Sequence, residues 1–82
     1  MDDQVHEIVQ VLEELKEDAT TPKSVKLKIQ KAIDELNNNK ERNVAIHKAL
    51  NELDELADNT TMESFTRSQI FNIVSLLESL SI

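Results

Sequence analysis

The apolar residues of this chain recur at alternating spacings of three and four, the pattern of helices that pack against other helices. In the first segment the spacings are 4, 3, 4, 3 and 4 through Met1, Val5, Ile8, Leu12, Leu15 and Ala19. Three later segments carry similar stripes, and neither a sustained period-two alternation nor a glycine turn favours a β-hairpin. The sequence therefore predicts an all-α fold of four amphipathic helices.

Residues that favour helix starts separate the four segments. Thr21 is expected to cap the second helix, with Pro22 at its first helical position, where a backbone N–H has no partner to lose. The later boundaries carry two further predicted capping pairs, Asn38 with Glu41 and Thr60 with Glu63. Loops are therefore expected near residues 19–21, 37–39 and 58–60.

The chain also contains an internal repeat. A shift of 41 positions superposes residues 5–36 on 46–77 without gaps, with seven identical pairs in 32. This period is similar to that of HEAT-type repeats, but two units fall short of the three or more that a solenoid needs. An open solenoid fragment is therefore the alternative to a closed bundle.

Short loops make neighbouring helices antiparallel, and four amphipathic helices of this length close best as a bundle. We predict a single domain over residues 1–82, an antiparallel four-helix bundle built from two similar helical hairpins. The first hairpin is expected at about 3–37 and the second at about 40–80.

Composition excludes several kinds of site. The 82 residues include no Cys and no Gly, and 16 acidic side chains outnumber nine basic ones, for a formal net charge of −7. Without cysteine there is no disulfide framework and no thiolate metal site. Without glycine there is no phosphate-binding loop or dinucleotide fingerprint. The sequence therefore predicts no enzyme, no catalytic residue and no cofactor.

The charge and the apolar runs also bear on location and partners. The first residues, Met1-Asp2-Asp3-Gln4, are acidic where a signal peptide carries positive charge. No apolar run approaches the ~18 residues of a membrane span. We therefore expect a cytoplasmic protein that enters no membrane. Because net negative charge disfavours nucleic acid, the expected partner is another protein or a second copy in a homodimer.

Three stretches of the sequence carry a resemblance to a known family. They are Leu12-Glu13-Glu14-Leu15 leading to Asp18-Ala19-Thr20-Thr21-Pro22, then Ala49-Leu50-Asn51-Glu52-Leu53-Asp54-Glu55-Leu56, and Arg67-Ser68-Gln69-Ile70-Phe71-Asn72-Ile73-Val74-Ser75. Over nearly its whole length the chain resembles a family of short, all-helical, uncharacterised archaeal proteins. The resemblance implies a four-helix bundle with no assigned activity and no established catalytic or binding residues.

Two alternative functions would use other residues. His6 and His47 occupy matching positions of the two hairpins, and Asp3 precedes His6 by three residues, a spacing that a metal-dependent helical protein can use. Most acidic residues lie outside the apolar stripes, so exposed histidines without a ligand are the simpler interpretation. A nucleic-acid-associated accessory protein would instead contact phosphates through the segment 23–31, whose four lysines (Lys23, Lys26, Lys28 and Lys31) spread around their helix.

The fourth helix carries the strongest candidate for a binding surface. At about 100° per residue from Phe65, the apolar residues fill an arc of about 180°, while Phe71 falls near 240° and off the predicted core face. The arc comprises Met62, Phe65, Ile70, Ile73, Val74, Leu76, Leu77 and Leu80.

Phe71 shares a row of this helix with Arg67, Val74 and Glu78. An aromatic and an aliphatic side chain flanked by opposite charges are typical of a contact site for another chain. We therefore predict a non-catalytic protein-interaction module that binds through Arg67, Phe71, Val74 and Glu78. The alternative is that Phe71 packs against an adjacent helix of its own chain.

Overall fold

The computed structural model describes residues 3–57 and 63–80, and these residues form four helices with no β-strand among them. The helices are α1 (Asp3–Glu17), α2 (Lys23–Asn38), α3 (Arg42–Ala57) and α4 (Ser64–Leu80). The prediction of an all-α, four-helix fold is confirmed. Met1, Met62 and the predicted cap Thr60 lie outside the described residues, as does the predicted loop at 58–60.

Each helix packs against two others, so the four form a closed ring. α2 contacts α1 and α3, whereas α4 contacts α3 and α1. The contact between α2 and α3 is the most extensive, and the contact between α1 and α4 is the least. Because α1 and α4 do meet, the fold is a closed bundle rather than an open solenoid fragment.

The contacts between helices also fix their direction. Lys28 near the start of α2 pairs with Glu52 of α3 at 3.1 Å, whereas Glu35 near the end of α2 lies 3.9 Å from Lys48. Residue numbers thus rise along α2 as they fall along α3. Adjacent helices run antiparallel, as the short loops predict.

Apolar side chains from all four helices fill the interior of the ring. The stripe predicted for the first segment is buried from Val5 to Leu15, but its last residue, Ala19, is exposed because it lies beyond the end of α1. On α4 the prediction is wrong for two residues, because Phe65 and Leu76 are exposed. The buried apolar residues are Val5, Ile8, Val9, Leu12, Leu15, Val25, Ile29, Ala32, Ile33, Leu36, Ala45, Ile46, Ala49, Leu53, Leu56, Ile70, Ile73, Val74 and Leu77.

The helix boundaries differ from the predicted caps. Thr21 does not cap α2: its hydroxyl donates to the Leu15 carbonyl at 3.0 Å and so closes the end of α1. Pro22 is the N-cap of α2 rather than its first helical residue, and its carbonyl accepts the Lys26 N–H. Asn38 belongs to α2, and the Glu41 carbonyl accepts the first N–H bond of α3, from Ala45.

Candidate functional site

Helix α4 exposes apolar side chains on the flank that faces α1. Phe65 is 61% exposed and Leu76 is 52% exposed. The two residues are eleven positions apart, which is about three helical turns, so they lie on one line along the helix. About 16 Å of helix separates them, so they form a continuous apolar patch, of the kind that marks interaction sites, only when a neighbouring helix supplies the side chain between them.

Helix α1 completes this patch with Val11, which is 37% exposed. Val11 lines two shallow grooves that follow each other along the junction of the two helices. In one groove it lies beside Phe65 and Gln69, and in the other beside Leu76 and Leu80. We call Val11, Phe65 and Leu76, with the grooves between them, the α1/α4 surface.

The charged residues that line the α1/α4 surface are acidic. Glu14 and Asp18 line the groove beside Phe65, and Glu7 lines the groove beside Leu76. The Thr20 backbone N–H donates to the Asp18 carboxylate at 2.8 Å, and the Thr20 hydroxyl donates to the same oxygen at 2.7 Å. These bonds hold the pKa of Asp18 below its ordinary value, so this carboxylate stays ionised at neutral pH.

The four residues predicted from the row of Phe71 do not lie together on the surface. Phe71 is 50% exposed and Glu78 is exposed, but Val74 is only 9% exposed and packs in the core. Arg67 is partly buried. Phe71 thus lies outside the core, on the flank of α4 opposite to Phe65 and Leu76, and it lacks the exposed aliphatic neighbour expected in Val74.

The two histidines lie on the outside of the bundle. His6 and His47 are both exposed, and a ring nitrogen of His6 lies 3.4 Å from the Gln10 amide nitrogen. Within residues 3–57 and 63–80, no three His, Asp or Glu side chains lie close enough together to hold a metal ion.

The lysines of segment 23–31 have different roles. Lys28 donates to the carboxylates of Glu52 and Glu55 on α3. These bonds raise the pKa of Lys28, and the bond from Lys28 lowers the pKa of Glu55. Lys23 and Lys31 are exposed beside Leu27, which is 61% exposed. Lys28 is therefore part of the α2/α3 contact, and the segment does not present four equivalent cations.

Sequence reasoning placed Phe65 and Leu76 in the core because they lie inside the apolar arc of α4. The arc spans about 180°, whereas a helix packed on two neighbours needs an apolar stripe of only about 100° or more. Residues at the margin of such a wide arc remain outside the bundle. The excess width is the signal that predicts an exposed apolar flank on α4.

The chain is thus a closed, antiparallel four-helix bundle with an exposed apolar surface along one helix junction and acidic residues at its edge. None of the helices in the described parts of the chain is long and apolar enough to cross a membrane.

The model of the uncharacterised protein family UPF0147 matches residues 1–80, and the chain belongs to this family. No curated protein matches it.

Two solved structures share the fold. The structure of the unknown-function protein MMP1188 has a TM-score of 0.90 and 33% identity, covering 98% of this chain and 92% of that chain. A UPF0147 protein from Thermoplasma acidophilum has a TM-score of 0.89 and 30% identity, covering 96% of this chain and 94% of that chain. The relatives are archaeal, and the function of the family is not known, as the resemblance implies.

Proposed function

We propose that this protein is a non-catalytic interaction module that binds another protein through the α1/α4 surface. The observation that carries the proposal is the exposure of Phe65 and Leu76 on one line of α4, with Val11 opposite them on α1. Aromatic and large aliphatic side chains in a shallow groove are the anchors that supply most of the binding energy at protein interfaces.

The location of these side chains favours the α1/α4 surface over the row of Phe71. Phe71 is a single exposed apolar residue, because its neighbour Val74 is in the core. The α1/α4 surface instead offers three exposed apolar residues on two helices, joined by grooves. The proposed module acts in the cytoplasm, a reducing compartment that suits a chain without cysteine.

The proposal can be tested by comparing the wild type with three variants as bait in an extract of the cells that make the protein. The double variant Phe65→Ser with Leu76→Ser removes the anchors of the α1/α4 surface. Phe71→Ser removes the exposed aromatic residue on the other flank of α4. Leu27→Ser is the matched control, since Leu27 is as exposed as Phe65 but lies on α2. Far-UV circular dichroism shows whether each variant is folded.

We expect proteins retained by the wild type and by Leu27→Ser to be lost from the double variant, with retention reduced by about tenfold or more. Equal retention by the wild type and the double variant would rule out the α1/α4 surface. Loss in Phe71→Ser alone would instead move the binding site to the row of Arg67, Phe71 and Glu78.

A further inference from the structure

The α1/α4 surface has the shape of a site for one linear segment. Its grooves run end to end from Gln4 and Leu80 at one end to Asp18 and Phe65 at the other. Asp18 follows the last residue of α1 and is fourteen positions from Gln4, which corresponds to about 21 Å along the helix axis. A helix of about four turns has the same length. The surface therefore fits an amphipathic helix laid along the junction, which is a common way for proteins to recognise a peptide.

The charge of the surface indicates which charged side chains such a segment must carry. Among the described residues, the grooves are lined by Glu7, Glu14 and Asp18 and by no Lys or Arg. The whole chain carries a net charge of −7. Interfaces place opposite potentials against each other, because like charges brought together are repelled and lose their hydration. A segment with Lys or Arg beside its apolar stripe meets this requirement.

A second copy of the chain does not meet this requirement for basic side chains well. A two-fold dimer brings the same surface of both copies together, so Glu7 and Glu14 of one copy would face the acidic edge of the other. A head-to-tail contact could instead place the Lys23, Leu27 and Lys31 side of α2 on the surface. That contact offers a single exposed apolar side chain to the grooves and leads to open chains of copies rather than a closed dimer.

Building on the proposed function, we infer that the α1/α4 surface binds a basic amphipathic helical segment of a different protein. Apolar side chains of that segment pack on Phe65, Leu76 and Val11, and its Lys or Arg side chains pair with Glu7, Glu14 and Asp18.

A displayed peptide library tests this inference without assuming the partner. The peptides are helix-forming segments of about 18 residues, or about 27 Å, with surface positions equally open to Lys, Glu, Leu and Ser. Selection is made on the wild-type protein, and the selected peptides are then measured by fluorescence anisotropy against variants. Glu14→Lys reverses a charge at the surface. Glu13→Lys is its matched control, because Glu13 lies about 160° around α1 from Val11, whereas Glu14 lies about 60° from it.

We expect the selected peptides to carry an apolar stripe and net positive charge, and to lose binding to the Phe65→Ser, Leu76→Ser double variant. Their Kd should weaken about tenfold in Glu14→Lys, which equals about 1.4 kcal/mol, and stay unchanged in Glu13→Lys. Peptides that need Phe65 and Leu76 but are neutral or acidic would overturn the inference and leave the proposed function intact. So would equal binding by Glu13→Lys and Glu14→Lys.

Light scattering on a sizing column gives the second readout. We expect the wild-type mass of a single chain over a wide concentration range. A dimer that the Leu76→Ser variant abolishes, or a growing mass that Leu27→Ser abolishes, would make a second copy the occupant and overturn the inference. If no selected peptide depends on Phe65 and Leu76 and the chain stays monomeric, the inference fails, whereas the proposed function fails only if the double variant also retains the same proteins from the extract as the wild type.

Discussion

The Thr21 hydroxyl donates a hydrogen bond to the Leu15 carbonyl at 3.0 Å, and Thr21 is buried in the turn between α1 and α2. The same carbonyl accepts the Asp18 N–H at 3.2 Å. Thr21 therefore joins the end of α1 to the start of the next helix. Unfolding exchanges this hydrogen bond for hydrogen bonds to water, and the net difference stabilises the folded state by about 1 kcal/mol.

Replacing Thr21 by Val should destabilise the protein. The valine keeps the shape of the side chain but removes the donor to Leu15, at a cost of about 1 kcal/mol. For a domain of this size that corresponds to a decrease in Tm of roughly 4–8 °C. Thermal unfolding followed by circular dichroism measures the change. Thr21→Ser keeps the hydroxyl and should retain more of the Tm than Thr21→Val; the reverse order would contradict the role of the hydrogen bond.

Replacing Thr66 by Val should instead stabilise the protein. Thr66 is fully buried, and its hydroxyl has no hydrogen-bond partner among the described residues. In the 41-residue repeat Thr66 corresponds to Val25, which is also fully buried. Thr66→Val removes a buried polar group and should stabilise the fold by about 1 kcal/mol, seen as an increase in Tm. A fall in Tm as large as that of Thr21→Val would show that the Thr66 hydroxyl has a partner.

Replacing Lys28 by Gln should raise the pKa of Glu55 toward the ordinary glutamate value. The hydrogen bond and charge of Lys28 lower this pKa in the folded protein, so ionised Glu55 stabilises the fold at neutral pH. That contribution is lost as pH falls through the pKa of Glu55 in the folded state. Carbon NMR of the glutamate carboxyl groups measures the titration directly. Lys23→Gln is the control, and an unchanged Glu55 titration in Lys28→Gln would contradict the assigned cause.

The Lys28 substitution should also have a pH-dependent effect on stability. The pKa of Lys28 is raised in the folded state, so its contribution is present below the ordinary lysine value and is lost only at higher pH. The Tm difference between Lys28→Gln and the wild type should therefore be present at neutral pH and shrink in acid, where Glu55 becomes protonated. A difference that stays constant from neutral to acid pH would assign it to packing rather than to charge.

Substitutions on α4 should distinguish its core residues from its exposed residues by their effect on the free energy of unfolding. Leu77 is fully buried, so Leu77→Ala should cost about 2–5 kcal/mol of unfolding free energy. Phe65→Ser and Leu76→Ser remove exposed side chains and should each change it by about 0.5 kcal/mol or less. Urea denaturation followed by circular dichroism gives both values. A loss at Phe65 or Leu76 comparable to that at Leu77 would place these residues in the core.

Local sequence determined the four helices. Apolar residues spaced by three and four positions lie on one face of the chain only if that segment is helical. It also determined part of the core, including Val5, Ile8, Leu12 and Leu15 of α1. The caps were less predictable. A threonine hydroxyl both donates and accepts, so whether Thr21 caps α2 or closes α1 depends on the direction in which the chain leaves Leu15.

Only the tertiary structure decided which part of the apolar arc of α4 is covered. The sequence shows that the arc is wide, but not which helices lie against it. α4 packs on α3 and meets α1 least extensively, so the bundle covers Ile70, Ile73 and Leu77 and leaves Phe65 and Leu76 exposed. Burial of a side chain at the margin of a stripe depends on the distance to the neighbouring helix, which the packing of all four helices sets together.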